Sequence, residues 1–569
     1  MAANIRDGSY SFLKNLLALE ASSSQSMAWE NPVGFLPESE WDPFLVAMPD
    51  QEFSAFLRRG IQSGFRIGVP PSARLSSCKS NSKSALALAS KVDDYIEEEV
   101  KAGKLVISDE ANVQLSSIGF IPKRNRPGKF RMIVDLSSPS GRSVNDAINP
   151  AFSSFKYVTV RQVAELLPQG SFLAKLDLKA AYRKVPVHVA DQKFLGVSWR
   201  GKTYCDKALP FGLRSAPIIF NAVADGLAWA MICTGIMDLA HYLDDFIFWA
   251  SDQQSCQRCL DTGIHTAYSL GLPVEPIKVE GPLTTLTFLG IEIDTIRREL
   301  RLPRGKLNRL KDTLRKWSTK KSATKHDLQV IIGLLNDAAQ VVPAGRPFVR
   351  RLIDAMSRLR KANHVTRLEE GCRADILWWC SYIESWNGVS IFPNPIVGPS
   401  IFSDASGSWG AGAFISLDHA WFQLKWPKLW SSNNIAAKEL VPIVMAIALW
   451  GHRCAHSRIS LYSDNLAVVQ CLESGSAKDR ILSHLLRCLF FFLARHQISY
   501  RAFHIAGRNN RAADALSRDD LHVYFSIFPQ APRTPTGFPQ ALTSLLLDST
   551  LSWTSKSWKE LFRGCLQEV

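Results

Sequence analysis

Seven acidic residues of this 569-residue chain stand where carboxylates can do chemistry, and they fall into two sets. In the first, Asp244 and Asp245 follow Tyr242 and Leu243, with His241 before them and the apolar run FIFWA after. Apolar residues on both sides predict a β-hairpin with the Asp pair at its turn. Adjacent carboxylates in apolar surroundings repel one another and are costly to desolvate unless a cation compensates. Mg²⁺ answers that cost, because it takes one or two carboxylates together with substrate phosphate oxygens. An isolated Asp-Asp pair is more often a plain turn, but Asp177 ends another apolar run, FLAKLDL. Alone, Asp177 would read as a strand-end cap. A third carboxylate is what a two-metal site needs, where ions roughly 3.5–4 Å apart hold the attacking and leaving oxygens of a phosphoryl displacement.

The second set is Asp404 in SIFSDASGSWGAGAF, Glu439 in AAKELVPIVMAIALW, Asp464 in LYSDNLAVVQCL and Asp514 in AGRNNRAADALSR. Asp404 and Asp464 follow β-type runs, so both carboxylates can project from neighbouring strand ends. Glu439 lies on a helix with the apolar stripe Leu440, Val444 and Ile447. Pro442 complicates that helix, since proline in a helix interior costs about 3 kcal/mol. Either the helix begins just before Glu439 or it kinks there. Each acid taken singly is an ordinary solvated residue.

The elements that must position these acids are short strands interleaved with longer helices. SIGFIPK, KFRMIVDLS, FLAKLDL, HYLDDFIFWA and TFLGIEID read as strands, and SAPIIFNAVADGLAWAMI as a helix. That alternation indicates an α+β or α/β multidomain chain. Residues 301–390 turn basic and helical, and FPNPIVGPS at 392–400 marks the clearest boundary.

Between the two acidic strands of the first set lies LPFGLRSAP, residues 209–217. The order Asp-x-x-x-x-Tyr, LPFGLRSAP, YLDD, TFLGIEID resembles the reverse transcriptases of retroviruses and retrotransposons over roughly residues 85–300. The resemblance implies a right-hand polymerase of fingers, palm and thumb, in which Asp177, Asp244 and Asp245 are the metal-binding triad of the palm. It implies that Arg131 contacts the incoming nucleotide's phosphates, for which its bidentate fork is suited. Lys123 belongs to the same basic fingers hairpin. Tyr182 matches the aromatic residue under the nucleotide's sugar, Phe211 and Gly212 the segment beside nucleotide and template, and Lys278 the lysine after the acidic hairpin. The second set resembles the RNase H fold, whose four acids hold two Mg²⁺ for cleavage of RNA in an RNA–DNA hybrid, and His504 matches a histidine that assists product release. Implied with these are two Mg²⁺ per site, with Mn²⁺ as a substitute, and an RNA template, a DNA primer or hybrid, and deoxynucleoside triphosphates as partners. The expected division is 1–83 without assigned role, 84–300 fingers and palm, 301–397 helical thumb or connection, 398–518 RNase H-like, and 519–569 a linker with a small helix.

Three patterns are rejected. Residues 196–203, GVSWRGKT, fit the P-loop letters, but FLGVSW and TYCDKAL flank them as strand, turn, strand, and a P-loop needs a helix next. Asp261-Thr262-Gly263 has the letters of a retroviral protease site within a helical stretch. Cys256-x-x-Cys259 has no second cysteine pair to complete a zinc site.

Bulk composition agrees. Sixty-seven Lys and Arg against 52 Asp and Glu give a net charge of +15, which fits a polyanionic partner. Eleven scattered cysteines read as reduced thiols in an intracellular protein. The first 25 residues lack a signal-peptide core, and the apolar run 485–494 is about half a membrane span, so no membrane association is expected. LRRGIQSGFRIG, FSDASGSWGAG and PTGFPQALTSLLLDSTLSWTSKSWKELF resemble DIRS-type retrotransposons, which pair the polymerase with a tyrosine recombinase; a gypsy-like LTR element is the alternative. Outside the retroelement enzymes, the competing reading is an inactive, co-opted nucleic-acid-binding protein, against which stands the presence of all seven acids.

Overall fold

The apolar runs of the first half fold as short strands and the longer apolar stretches between them as helices. The computed structural model describes residues 35–547 except 79, 110–111, 123–129, 154–156, 387–388, 392–396, 431, 456 and 497. Lys123 lies outside the described residues. The chain divides into two units, Met1–Leu289 and Gly290–Val569.

The described residues of the first unit hold β1 Leu105–Ile107, β2 Leu115–Pro122, β3 Phe130–Asp135, β4 Phe172–Asp177, β5 Gly196–Trp199, β6 Lys202–Asp206, β7 Leu239–Tyr242, β8 Asp245–Ala250, β9 Glu280–Leu283 and β10 Thr285–Phe288. One sheet has the order β1-β6-β5-β2-β3, with Arg131 opposite Ile121 on the β2–β3 hairpin. The sheet that carries the first acidic set runs β7-β8-β4-β9 with every pairing antiparallel. Its inner strand β4 is largely buried at Leu173, Ala174 and Leu176, and the Lys175 that interrupts this apolar run pairs with Glu280. Helices Ala216–Cys233 and Gln253–Ser269 pack on this sheet.

Two helices from the segment without assigned role, Glu38–Val46 and Gln51–Ser63, belong to the same core. Trp41, Phe53 and Leu57 are fully buried within it, and the Trp41 indole donates to the Leu270 carbonyl at 3.0 Å. Residues 196–203 form β5, a turn at Arg200 and Gly201, and β6. Asp261, Thr262 and Gly263 lie inside the helix Gln253–Ser269, as do the free thiols Cys256 and Cys259.

The second unit opens with β11 Ile291–Asp294 and β12 Glu299–Arg301, followed by β13 Ser322–Thr324, β14 Val365–Arg367 and β15 Val389–Ile391. Around them run the helices Arg304–Ser318, Lys325–Ala338, Arg350–Ser357 and Glu370–Trp386. β16 Val397–Ala405, β17 Gly410–Ile415, β18 Trp421–Lys425, β19 Arg458–Ser463 and β20 Ser499–His504 then make one sheet, ordered β18-β17-β16-β19-β20. β16, β17 and β18 form an antiparallel meander, and β19 and β20 add in parallel after helical crossovers. Helices Ile435–Trp450 and Arg480–Arg495 pack together beside it. Asp375, fully buried on the helix Glu370–Trp386, accepts from Arg351 at 3.1 Å and faces Arg487 of the helix Arg480–Arg495 at 3.7 Å. By length and composition Ala216–Cys233 and Ile435–Cys454 could each cross a bilayer, yet both are mostly buried, as core helices are.

Of the segment expected as a linker with a small helix, residues 519–547 are fastened to the second unit. Tyr524 is fully buried in a core with Phe414, Trp421 and Leu516. The indoles of Trp421, Trp430 and Trp450 donate to Pro532 O, Leu547 O and Thr536 Oγ1 respectively.

Candidate active sites

β4 and β8 are register partners along their length, so Asp177 lies directly opposite Asp245. A tight turn through Leu243 and Asp244 joins β7 to β8, with Tyr242 paired to Asp245 across it. Leu243 has φ +53°, the left-handed conformation that a two-residue hairpin turn demands, and for a leucine that costs about 1–2 kcal/mol. The Leu178 amide donates to the Asp244 carbonyl at 3.0 Å, fastening the turn to the end of β4. Three carboxylates therefore converge from two adjacent strand ends.

Their crowding shows in their protonation. Burial, then a hydrogen bond with Asp177 and the charge of Asp244, push Asp245 up to about 7. Burial and the Asp177 charge push Asp244 up as well. The Lys278 ammonium bonds to Asp177 from a short turn, Pro276–Lys278. Behind the hairpin, buried His241 pairs through Nε2 with Asp225 of the helix Ala216–Cys233 at 2.8 Å and stacks on Phe246.

Around these acids the other sequence-selected residues gather in part. Arg131 on β3 sits with its guanidinium 4.7 Å from the centre of the Phe211 ring, and its charge reaches Asp244. Phe211 lies 5.6 Å from Tyr182, which stacks on Phe220 at 5.1 Å. Tyr182 leaves the end of β4 on the 3₁₀ turn Ala181–Lys184, introduced by Ala180 at φ +52°. It is half-buried, and burial raises its hydroxyl pKa. Gly212, at φ +105°, presses on β3, where an added Cβ would meet Val134 O at 2.6 Å. Asn145 braces the segment, donating to Gly212 O at 2.8 Å and accepting from the Arg214 amide at 2.7 Å.

In the second unit Asp404 lies on β16 and Asp464 follows β19, and the parallel register Phe402↔Tyr462 carries forward to set the two acids side by side. Glu439 comes from the helix Ile435–Trp450, which begins four residues before it and continues through Pro442. One oxygen from each of these three acids lies within 4.8 Å of the other two. Glu439 Oε1 accepts from the Ala405 amide at 3.2 Å, while Oε2 is buried without a hydrogen-bond partner. Burial and the charges of Asp404 and Asp464 push Glu439 up to about 9. Burial also lifts Asp404, to about 6, although Ser517 Oγ donates to it at 2.5 Å.

Asp514 is the acid that does not join this cluster. It lies on the helix Arg511–Ser517, and Arg518 holds its carboxylate at 2.6 Å. That helix approaches β17 so closely that a Cβ on Gly412 would meet Leu516 Cβ at 2.4 Å. His504, at the exposed end of β20, donates from Nε2 to the Asp464 carbonyl at 3.0 Å. An all-oxygen donor set with an orphaned buried carboxylate oxygen fits a hard divalent cation, and so does the crowded triad of the first unit.

Sequence reasoning did not select His241, Asp225, Asn145 or Ser517. Ser517 alone had a local signal, one helical turn after Asp514.

Residues 121–293 match the family described as Reverse transcriptase (RNA-dependent DNA polymerase). The chain is 26% identical over 250 residues to the Gag-Pro-Pol polyprotein of Mason-Pfizer monkey virus, covering 42% of this chain and 13% of the polyprotein. It is 21% identical over 455 residues to the Transposon Tf2-3 polyprotein of Schizosaccharomyces pombe, covering 75% of this chain and 30% of that one. The chain thus spans under a third of the length of these relatives. The foamy viral protease-reverse transcriptase in complex with RNA/DNA hybrid aligns at a TM-score of 0.48 and 17% identity, over 84% of this chain and 64% of that one. The same protein with dsDNA aligns at 0.46 and 17%, over 84% and 98%. Residues 121–293, which include the acidic hairpin, are a reverse transcriptase domain of the retroviral and LTR-retrotransposon type.

Proposed function

We propose that the chain is an RNA-directed DNA polymerase with RNase H activity, copying a retroelement's RNA into DNA. The observation that carries the polymerase is the cross-strand pair Asp177–Asp245, with Asp244 at the turn between, inside the reverse transcriptase segment. Asp177, Asp244 and Asp245 would hold a pair of Mg²⁺ ions, with Mn²⁺ as a substitute, which would supply activation of the attacking oxygen and charge neutralisation at the leaving phosphate. Arg131 receives the triphosphate of an incoming deoxynucleotide, Tyr182 lies under its sugar, and Phe211 and Gly212 flank it beside the template.

Nuclease activity is supported by the cluster Asp404, Glu439 and Asp464 with its orphaned Glu439 oxygen. Asp514 completes that set by leaving Arg518, and His504 stands at the rim through its bond to the Asp464 backbone. The partners are an RNA template, a DNA primer and the RNA–DNA hybrid they produce. A hybrid's A-like shape and 2′-hydroxyls distinguish it from duplex DNA.

The test separates the two sites. Asp244→Asn should abolish primer extension and spare hybrid cleavage, and Asp464→Asn should do the reverse; loss of both activities in either folded variant refutes the two-site reading.

Within the retroelements we assign the chain to the DIRS type, on the segments at 57–68, 402–412 and 535–562. A gypsy-like LTR element is the second reading, favoured by the likeness to the Tf2-3 polyprotein over 75% of this chain. A tyrosine recombinase frame beside the gene supports the first, and an integrase frame between long terminal repeats supports the second.

A further inference from the structure

The three acids of the first unit are crowded together, and among the described residues one cation bonds to them directly. Lys278 Nζ bonds to Asp177 Oδ2. Arg131 acts on Asp244 through its charge, but its guanidinium rests over the Phe211 ring. The backbone that presents Lys278 is fixed to the strand end it serves. The Glu275 amide donates to Asp177 O at 2.8 Å, the Lys278 amide to Glu275 O at 3.0 Å, and the Lys179 amide to Pro273 O at 2.7 Å. Leu178 and Val274 add an antiparallel bridge. Only the side chain is free to change partners, and 52% of it is exposed, so it can move into water without disturbing the fold.

We propose that Lys278 is the internal counter-cation of this site: it neutralises Asp177 in the metal-free chain, releases it when a divalent ion is held, and so sets how tightly the site takes metal. The proposal rests on the metal-site reading above and assigns Lys278 a positioning role exercised through Asp177. An ammonium and a divalent cation on one carboxylate repel each other, so part of the attraction between metal and acids is spent in displacing the lysine. Its effect is therefore opposite to that of a residue that merely supports the site. Removing the charge tightens metal binding, whereas removing a support loosens it.

The experiment is a titration of the full chain with Mn²⁺ in the absence of nucleic acid, followed by calorimetry or by the spin-resonance signal of free Mn²⁺. Asp404→Asn with Asp464→Asn is the common background, to silence the second site. Lys278→Met should bind Mn²⁺ about threefold more tightly, the scale expected of a half-exposed ion pair. Lys278→Arg should restore the parent affinity within twofold. Lys278→Gln serves as a second neutral variant, and each is checked for an unchanged melting transition. Unchanged or weaker Mn²⁺ binding in folded Lys278→Met and Lys278→Gln, with the binding still lost in Asp244→Asn, overturns the counter-cation alone. Binding that survives Asp244→Asn overturns the metal site itself, and the counter-cation with it.

Discussion

Replacing Glu439 by glutamine should stabilise the metal-free chain while removing nuclease activity. Glu439 is held near pKa 9 against an ordinary 4.5, chiefly by burial and then by the charges of Asp404 and Asp464. The folded chain therefore keeps a proton that the unfolded chain gives up. Stability falls as pH rises from about 4.5, where the unfolded chain begins to ionise, and levels off near 9, where the folded site ionises too. At pH 7 the loss spans about 2.5 pH units, at most about 3 kcal/mol at 1.36 kcal/mol per unit. A glutamine cannot ionise and so escapes this loss. Its carbonyl keeps the bond from the Ala405 amide, and its amide N–H groups take the place of the orphaned oxygen beside the carboxylates of Asp404 and Asp464 as donors. At roughly 2–4 °C per kcal/mol, one melting transition should rise by up to about 10 °C at pH 7 in EDTA. The assay is calorimetry of wild type and Glu439→Gln between pH 5 and 9 in EDTA, repeated with Mg²⁺. Wild type should lose stability with rising pH and regain it with Mg²⁺, by about 2.7 kcal/mol at a hundred times the dissociation constant, and the variant should do neither. A variant that melts below wild type at pH 8 in EDTA, or a wild type indifferent to pH, refutes the reasoning.

Tyr182→Ala should collapse discrimination against ribonucleotides while some deoxynucleotide incorporation survives, and the loss of packing on Phe211 and Phe220 should cost about 2 kcal/mol, half a full core deletion for a half-buried ring. An unchanged incorporation ratio with lower overall activity assigns Tyr182 to packing. A chain ended at residue 518 should lose the cooperative melting of its second unit, because three buried indole donors lose acceptors at about 1 kcal/mol each and the Tyr524 core opens. Wild-type melting of that shortened chain would refute it.

The strands around the acids were legible because they are short apolar runs with turn residues between them, and Asp244 fell at the predicted hairpin turn. The false P-loop was legible for the same reason, since β-type runs flank Arg200 and Gly201 on both sides. Of the two readings that Pro442 left open, the helix does begin shortly before Glu439, at Ile435, and buried packing along Ile435–Trp450 carries it on through the proline against local propensity. What stayed hidden depends on partners far apart in sequence. Ser517 reaches Asp404 across 113 residues, His241 pairs with Asp225 on another element, and Arg131 stacks on Phe211, 80 positions away. The anchoring of residues 38–63 went unread although Phe53, Phe56, Leu57 and Ile61 recur at helical spacing, and that of 519–547 was hidden because it rests on partners far back in the chain such as Phe414 and Trp421.

The two acidic sites share a construction that bears on why they keep their geometry without metal. In each, carboxylates are set side by side by sheet register: Asp177 opposite Asp245 on antiparallel strands, Asp404 beside Asp464 at the ends of parallel ones. In each, one acid of the set is held by a basic side chain of the same unit, Asp177 by Lys278 and Asp514 by Arg518. The remaining repulsion is carried by protons, on Asp245 near pKa 7 in one and on Glu439 near 9 in the other. Backbone held at φ +52° at Ala180 and +53° at Leu243 adds strain beside the first site, of the kind that surrounding structure must over-determine. These sites are therefore places where the fold is less stable than a neutral sequence would make it. At pH 9, where the full shift of each carboxyl counts, neutral isosteres of the acids should stabilise the metal-free chain in proportion to how far each pKa is raised, so Glu439→Gln should gain more than Asp404→Asn, whose carboxyl is raised only to about 6. The opposite order would mean that hydrogen bonding, such as Ser517 to Asp404, rather than charge crowding governs the stability of the second site.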